Sequence, residues 1–582
     1  MTYKYKGLVE PLRELSGMKE MISQLEVKSV NAFGNNVGIK VTNMVDACKG
    51  HFIYGVSEFV NLPSVIITYD EVSTKRIFED MEALKGKGKV YTYPSRDILF
   101  YNADVHSMDI TSARIRVIEA LNNEEDITLI IPVQALLNPL SPKATWQSYT
   151  TTVKVGEIIN ITALQNKLVQ IGYERVGRVE GIGQFAVRGG IMDIYPPTMD
   201  EPYRIELWDD EVDSIRSFNV QTQRSIEKVE ELLIVPNQEI VFSPSVLRDA
   251  VPAIKEDLKK IVSKLQEEGK RESAEKIKEQ VNEAIEQIQN DISPKGLELY
   301  VPYTELETVS ILDYLPKHTI IFIDEPVKVK DKSERTLFEY RESMKDRLEY
   351  GHILPKQVEL IFEYEAISQR IEDFKKVYLM KFDSSEEQLP ISLTMSLNVH
   401  EHSNVYRNIE ILEEDLKKWK EDKERVMILC GMRAKAQRLS DALEERGLLV
   451  SNTENPEEEV QPGQVLIYKG ALERGFYYKD LNWHIVADKD LFGQDKKARK
   501  SKKKFSGAKI QSFLELSPGD YVVHEMHGIG VFKGIEQIVF EGISRDNLKI
   551  EYADNNILYV NINQMDMVQK YVGAEGKAPK LS

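Results

Sequence analysis

Along the first 150 residues, short runs of β-branched and aliphatic residues alternate with stretches of helical periodicity: Val65–Thr68, Val90–Tyr93 and Ile127–Ile131, with amphipathic segments between them. Strands spaced by helices of that length predict a parallel sheet covered on both faces. From about Thr151 to Pro236 the spacing shortens to strands at Gln184–Arg188, Ile191–Tyr195 and Tyr203–Trp208, punctuated by Gly189-Gly190 and Pro196-Pro197. Turn residues at that density predict a small α+β domain inserted into the first. Leu247–Ile292 is helical and charged, with Glu and Lys at i,i+4, the pattern of a solvated helical pair. An apolar run at Thr319–Ile323, ending in Asp324-Glu325, marks the return of the α/β domain.

A further α/β unit follows, with strands at Val426–Cys430, Val465–Tyr468 and His484–Ala487, a helix through Ala434–Glu445 and an acidic loop, Glu454–Gln461, expected to be flexible. After Leu516 come short alternating strands joined by turns such as Gly542-Ile543-Ser544 and Asp554-Asn555-Asn556, the pattern of a small Tudor- or SH3-like β-barrel. The expected fold class is therefore multidomain α/β. One α/β domain spans 1–150 and 239–380, and the insertion occupies 151–238. A second small α/β domain of unknown role spans 385–492, a basic linker 493–514, and the barrel with its following segment 515–582.

Composition changes this picture little. A chain of 582 residues is several cores long at roughly 100 to 200 residues per domain. There is no signal-peptide pattern and no apolar run of membrane-spanning length, so the expectation is a cytoplasmic protein without a membrane partner. Cys48 and Cys430 belong to no paired motif and read as packing residues. The net charge of −18 would repel a phosphate backbone, which argues against DNA as the principal partner of this chain. The run Lys496–Lys504 reads as a solvated linker or an accessory phosphate contact.

Candidate chemistry is mostly negative. Asp324-Glu325 after a strand is how ATPase folds hold Mg²⁺, but no GxxxxGK[ST] loop occurs. The segment at the right distance, Asn43–Gly50, keeps Lys49 but has no glycine before it, and Asp46 would repel a triphosphate. Lys49, Asp324 and Glu325 thus read as a degenerate nucleotide site. No catalytic or metal-ligating residue is expected. Gly181-Ile182-Gly183 opens a strand rather than a helix, so it is a turn and not a dinucleotide fingerprint. His524 and His527 are one residue too close for a helical zinc motif. Arg188, Arg204 and Trp208, on neighbouring strands, are either a binding hot spot or surface arginines paired with local acids such as Glu206 or Asp209.

Certain runs also resemble a known family. Tyr173-Glu174-Arg175, the segment Gly183–Pro196, Arg204–Trp208 and Asp213–Arg216 resemble the UvrB-like module of transcription-repair coupling factors. Gly519–His524, His527–Gly530, Leu558–Val560 and Lys570–Gly573 are similar to that family's RNA polymerase-interaction domain. The resemblance implies a degenerate helicase-type sheet, an inserted domain that binds UvrA through Arg188, Arg204 and Trp208, and a barrel that binds the polymerase β subunit at an edge strand through Ile538. Where the family carries Phe, this chain has Trp208. It further implies an adaptor that recruits UvrA to polymerase stalled at damage for nucleotide excision repair. ATP, Mg²⁺ and double-stranded DNA would then be handled mainly by motor domains that this chain does not contain, and no cofactor is expected here. The competing reading is a UvrB-like ATPase or helicase with an unrecognised nucleotide site.

Overall fold

The computed structural model describes residues 5–26, 37–96, 108–290, 294, 296–382, 389–402, 409–492, 507–509, 519–524, 528–540, 543–553, 556–561 and 568–571. It divides into two compact units, Met1–Gln494 and Asp495–Ser582.

The first unit is built on a seven-stranded parallel sheet. Its strands are β1 (Gly38–Thr42), β2 (Ser64–Thr68), β3 (Val90–Thr92), β4 (Thr128–Pro132), β13 (Ile320–Asp324), β14 (Lys375–Leu379) and β15 (Leu393–Ser396), in the order β15-β1-β14-β13-β2-β4-β3. β2, β4, β13 and β14 are buried at every residue, as a parallel sheet covered on both faces requires. β15 comes from the stretch assigned by its pattern to the second α/β domain. Its alternating Leu-Thr-Met-Ser carries no apolar run to mark a central sheet, yet it pairs with β1 at the edge.

Between β4 and β13 lies the inserted region: β5 (Thr151–Lys154), β6 (Glu174–Arg175), β7 (Gln184–Arg188), β8 (Ile191–Ile194), β9 (Tyr203–Trp208), β10 (Glu211–Phe218), β11 (Ser225–Val229) and β12 (Glu231–Ile234). β5 and β12 form a two-stranded stem, and the other six make one sheet in the order β11-β10-β9-β8-β7-β6. The helices Pro244–Glu267 and Arg271–Gln289 then close on an apolar seam that includes Ile254, Leu265, Ile277 and Ile288. Their charged residues supply the opposite, solvated faces.

The second α/β sheet consists of β16 (Val399–Glu401), β17 (Arg425–Cys430), β18 (Ser451–Thr453), β19 (Val465–Lys469), β20 (Phe476–Tyr478) and β21 (Trp483–Val486), ordered β16-β20-β21-β17-β19-β18. One face carries the helices Ile409–Glu421 and Arg433–Glu444 over Val426, Ile428 and Ile467. The other, through Met427, Leu466, Phe476 and Trp483, shares a core with the helix Asp46–Val60 of the main domain. That helix is therefore held between two sheets, and thirteen of its fifteen residues are buried. A helix apolar on all sides needs such cover.

Two polar contacts pin this junction. His51 donates from Nε2 to the Leu8 carbonyl at 2.7 Å and accepts from the Tyr478 hydroxyl at 3.1 Å. Asp80 accepts the Glu473 backbone N–H at 2.7 Å. The helix Glu71–Lys85, which carries Asp80, approaches the helix Asp46–Val60 so closely that a Cβ on Gly50 would stand 2.6 Å from that of Asp80.

The second unit contains β22 (Gly507–Lys509), β23 (Tyr521–His524), β24 (Gly528–Phe540), β25 (Ile543–Glu551), β26 (Ile557–Asn561) and β27 (Val568–Tyr571). All pair antiparallel in the order β22-β27-β23-β24-β25-β26, with a small core of Val522, Phe532, Leu548, Ile550 and Val560. β22 comes from the stretch read as linker, and only main-chain pairing with β27 marks it as sheet. The lysine-rich run Lys496–Lys504 lies outside the described residues. Among the described residues no helix is long and apolar enough to cross a membrane.

Candidate functional site

Two places gather the residues singled out in the sequence, and they are built in opposite ways. The first lies at the carboxyl end of the main sheet. β1 leads into the helix Asp46–Val60 through only Asn43, Met44 and Val45, too short a connection to wrap a triphosphate. Lys49 sits in the first turn with its side chain fully buried, and its ammonium meets Asp324 Oδ1 at 2.6 Å, Glu325 Oε1 at 2.7 Å and Asp46 Oδ1 at 3.0 Å. An ammonium has three donors, and three carboxylates take them. Burial alone would lower the Lys49 pKa, but the attraction of Asp324, Glu325 and Asp46 outweighs it and holds the group well above the usual lysine range. The three acids present oxygens within 4.8 Å of one another, a set able to hold a cation, and Lys49 supplies one from within the chain.

Glu325 adopts φ 53, an uncommon conformation for a side-chain-bearing residue, as it caps the helix Pro326–Glu349. Its carboxylate also accepts the Lys381 backbone N–H at 2.9 Å, which ties the turn to the neighbouring strand end.

The second place is the outer face of the inserted sheet. Phe185, Met192, Ile194 and Ile205 point into the core of this domain. Strand alternation then sends Arg188, Ile191, Asp193, Arg204, Glu206 and Trp208 to the other face. Register aligns them in rows: Arg188 opposite Ile191, Ile191 opposite Glu206, and Asp193 opposite Arg204. The three sequence-selected residues therefore share one surface. Trp208 is 81% exposed and Ile191 40%. Gly190 permits the close packing at this edge, since a Cβ there would lie 2.9 Å from the Leu207 carbonyl oxygen.

The arginines differ. Arg204 forks onto Asp193 at 2.7 and 2.9 Å and lies over the Phe218 ring at 4.8 Å. Its partner is thus Asp193, neither Glu206 nor Asp209; Glu206 instead pairs with Arg216 and accepts from Ser214 at 2.9 Å. Arg188 is exposed and forms no ion pair or side-chain hydrogen bond among the described residues. Sequence reasoning passed over Asp193 and Ile191, although the two-residue Gly189-Gly190 turn, which sets Arg188 opposite Ile191, and the period-two spacing of Ile191 and Asp193 carried the signal.

The face is held at a set angle to the main domain. Arg116 donates to the Pro197 and Met199 carbonyls at 3.2 and 3.1 Å and to Asp200 at 2.8 Å. Arg114, fully buried, forks onto Glu239 at 2.7 and 2.8 Å where the chain leaves the insertion. Burial would raise the Glu239 pKa, but Arg114 and Arg96 overcome it and bring the carboxyl down to about 2.

In the second unit, β23 covers β24 only over Gly528–Val531, whereas β25 pairs with it through Phe540. From Gly534 onward β24 is paired on one side among the described residues. Ile538 stands in that stretch opposite Arg545, two residues before the strand ends, and its side chain lies outside the described set. His524 is buried on β23, while His527 is outside the described residues. Cys48 and Cys430 are both buried free thiols.

Residues 151–240 match the family described as UvrB interaction domain, and residues 516–572 the CarD-like/TRCF RID domain. Over its length the chain is 31% identical across 552 residues to a transcription-repair-coupling factor of Bacillus subtilis (strain 168), covering 94% of this chain and 46% of that protein. A transcription-repair-coupling factor of Staphylococcus aureus (strain MRSA252) is 30% identical over 527 residues, 90% of this chain and 44% of its own length. A solved structure titled Structure of S. tokodaii Xpd4 covers 78% of the chain at 10% identity with a TM-score of 0.20, too low to carry any argument. The chain is similar to transcription-repair-coupling factors along about nine-tenths of its own length and spans a little under half of theirs.

Proposed function

We propose that this chain is an adaptor that couples repair to transcription, docking UvrA on the outer face of the inserted sheet and the RNA polymerase β subunit on the edge of β24 that has no strand partner among the described residues. One observation carries the reading: within the segment matching the UvrB interaction domain, Arg188 and Trp208 stand solvent-exposed on one rigid face. Exposed Arg and Trp on a fixed scaffold are the residue types that supply binding hot spots. The stretch of β24 that is paired on one side only among the described residues suits strand addition, in which main-chain hydrogen bonds supply affinity and alternate side chains specificity. The second unit would act as the small barrel-type module of such proteins.

The same reading makes this chain a non-enzyme. The three-residue connection after β1 and the consumption of Lys49 by three acids support it, since both remove what a triphosphate needs. ATP, Mg²⁺ and duplex DNA would be the business of a motor elsewhere in the full-length protein, a DNA translocase, and the setting would be the cytoplasm.

The test is a pull-down of purified chain with UvrA and, separately, the polymerase β subunit, alongside an assay for ATP turnover. Both partners should be captured, and Ile538→Arg should lose the β subunit alone while keeping its melting transition, because a charge would be buried unpaired. Capture of neither partner, or turnover abolished by Lys49→Ala or Asp324→Ala, would overturn the adaptor reading in favour of an ATPase.

A further inference from the structure

The docking face has the composition of a charged surface but not its behaviour. Arg204 spends two guanidinium nitrogens on Asp193, which is 4% exposed, and Glu206 is neutralised by Arg216. Among the residues that share this face on β7, β8 and β9, Arg188 is left as the unpaired charge. What lies beside it is apolar. Ile191 is the direct cross-strand neighbour of Arg188 on one side and of Glu206 on the other, and Trp208 follows Glu206 on the same face of β9. An isoleucine with 40% of its surface open, diagonal across the strands from an indole with 81%, costs solvation in the free chain and gains when covered.

We propose that Ile191 is a contact residue of this docking face, forming with Trp208 an apolar strip that a partner covers while a single carboxylate meets Arg188. The inference rests on the adaptor reading and sharpens it: the UvrA surface that fits is an apolar patch with one acid beside it, and not a broadly acidic face. Asp193 then acts as a positioning residue, holding Arg204 flat against Phe218 so that it frames the strip rather than reaching for an anion of its own. Because the ion pairs on the face are already satisfied within the chain, association should depend only weakly on salt, as one exposed charge pair does.

The experiment measures UvrA affinity of the full chain by calorimetry for wild type, Ile191→Ala, Ile191→Thr, Trp208→Ala and, as an exposed apolar control far along the chain, Leu449→Ala. Ile191→Thr keeps the β-branched shape that suits a strand, so the result does not hang on folding. Ile191→Ala and Ile191→Thr should each weaken binding by about tenfold or more, with melting transitions unchanged and Leu449→Ala at the wild-type value. Raising salt from about 0.05 to 0.3 M should cost less than about fivefold. If both Ile191 variants bind as wild type while Trp208→Ala fails, Ile191 is no contact and the inference falls with the adaptor reading intact. If wild type itself does not bind UvrA, the reading and the inference fall together.

Discussion

The Lys49 cluster and the Arg188 face are made from the same residue types, cations beside Asp and Glu, yet they differ in what water can reach. At Lys49 the cation and Asp324 are fully buried, on a helix held between two sheets and on the end of β13, with Glu325 and the partly exposed Asp46 beside them. On the inserted sheet two ion pairs lie flat on the strands while Arg188 and Trp208 project outward. The difference teaches that charge in a protein does work on a partner only where it has not already been satisfied at home. A lysine sealed in and paired to three acids defines the fold locally; an exposed residue on a rigid strand remains available.

That contrast can be broken most forcefully at Lys49. Lys49→Met would leave Asp324 buried beside Glu325 and Asp46 with no ammonium among them, so stability should fall by about 3–5 kcal/mol. Chemical denaturation of the variant checks it, and a loss below about 1 kcal/mol would mean that the lysine does not hold the acids.

The exposed face should show the reverse balance. Arg188→Ala is expected to weaken UvrA binding by about 2 kcal/mol while leaving stability within about 0.5 kcal/mol. Arg204→Ala should also weaken binding by about 2 kcal/mol, and it should cost a further 1–3 kcal/mol of stability, roughly, because Asp193 loses its partner. Paired affinity and melting measurements separate the two effects. Equal stability losses for both arginines would erase the distinction drawn between them.

The smallest effect concerns pH, and it belongs to the sealed side. Burial lowers His51 to about 4 and raises Asp80 to about 7. For His51 the unfolded chain binds more protons between about 6.5 and 4, so its contribution to stability is lost as pH falls across that window. For Asp80 the folded chain binds more protons between about 4 and 7, so stability is lost as pH rises there. The two oppose each other. Asp80→Asn keeps an oxygen for the Glu473 N–H and removes the buried charge, so the variant should be about 1–2 kcal/mol more stable than wild type at pH 8. Melting temperatures at pH 4.5, 6 and 8 should then also expose the acid-side loss due to His51. A variant that tracks wild type at all three would show that Asp80 does not titrate in this range.

The legible part of the molecule was whatever short-range pattern specifies. Apolar runs marked β2, β4, β13, β17 and β19 because central parallel strands are buried on both faces and need no alternation. Period-two alternation marked β7 and β9, and so put Arg188, Arg204 and Trp208 on strands; that β8 stands between those two strands was decided by the sheet. The missing glycines before Lys49 told against a phosphate loop from the string alone. Tertiary structure alone decided the rest. Asp193, eleven positions from Arg204, became its partner only through the register of β8 against β9, and a sequence does not state register. Lys49 and Asp324 are 275 positions apart, and their contact exists because β1 and β13 flank β14 in one sheet. The second α/β sheet reads in sequence as a separate domain, yet one of its faces is the lid of the helix Asp46–Val60. Local periodicity says that a face is apolar; only the folded chain says what covers it.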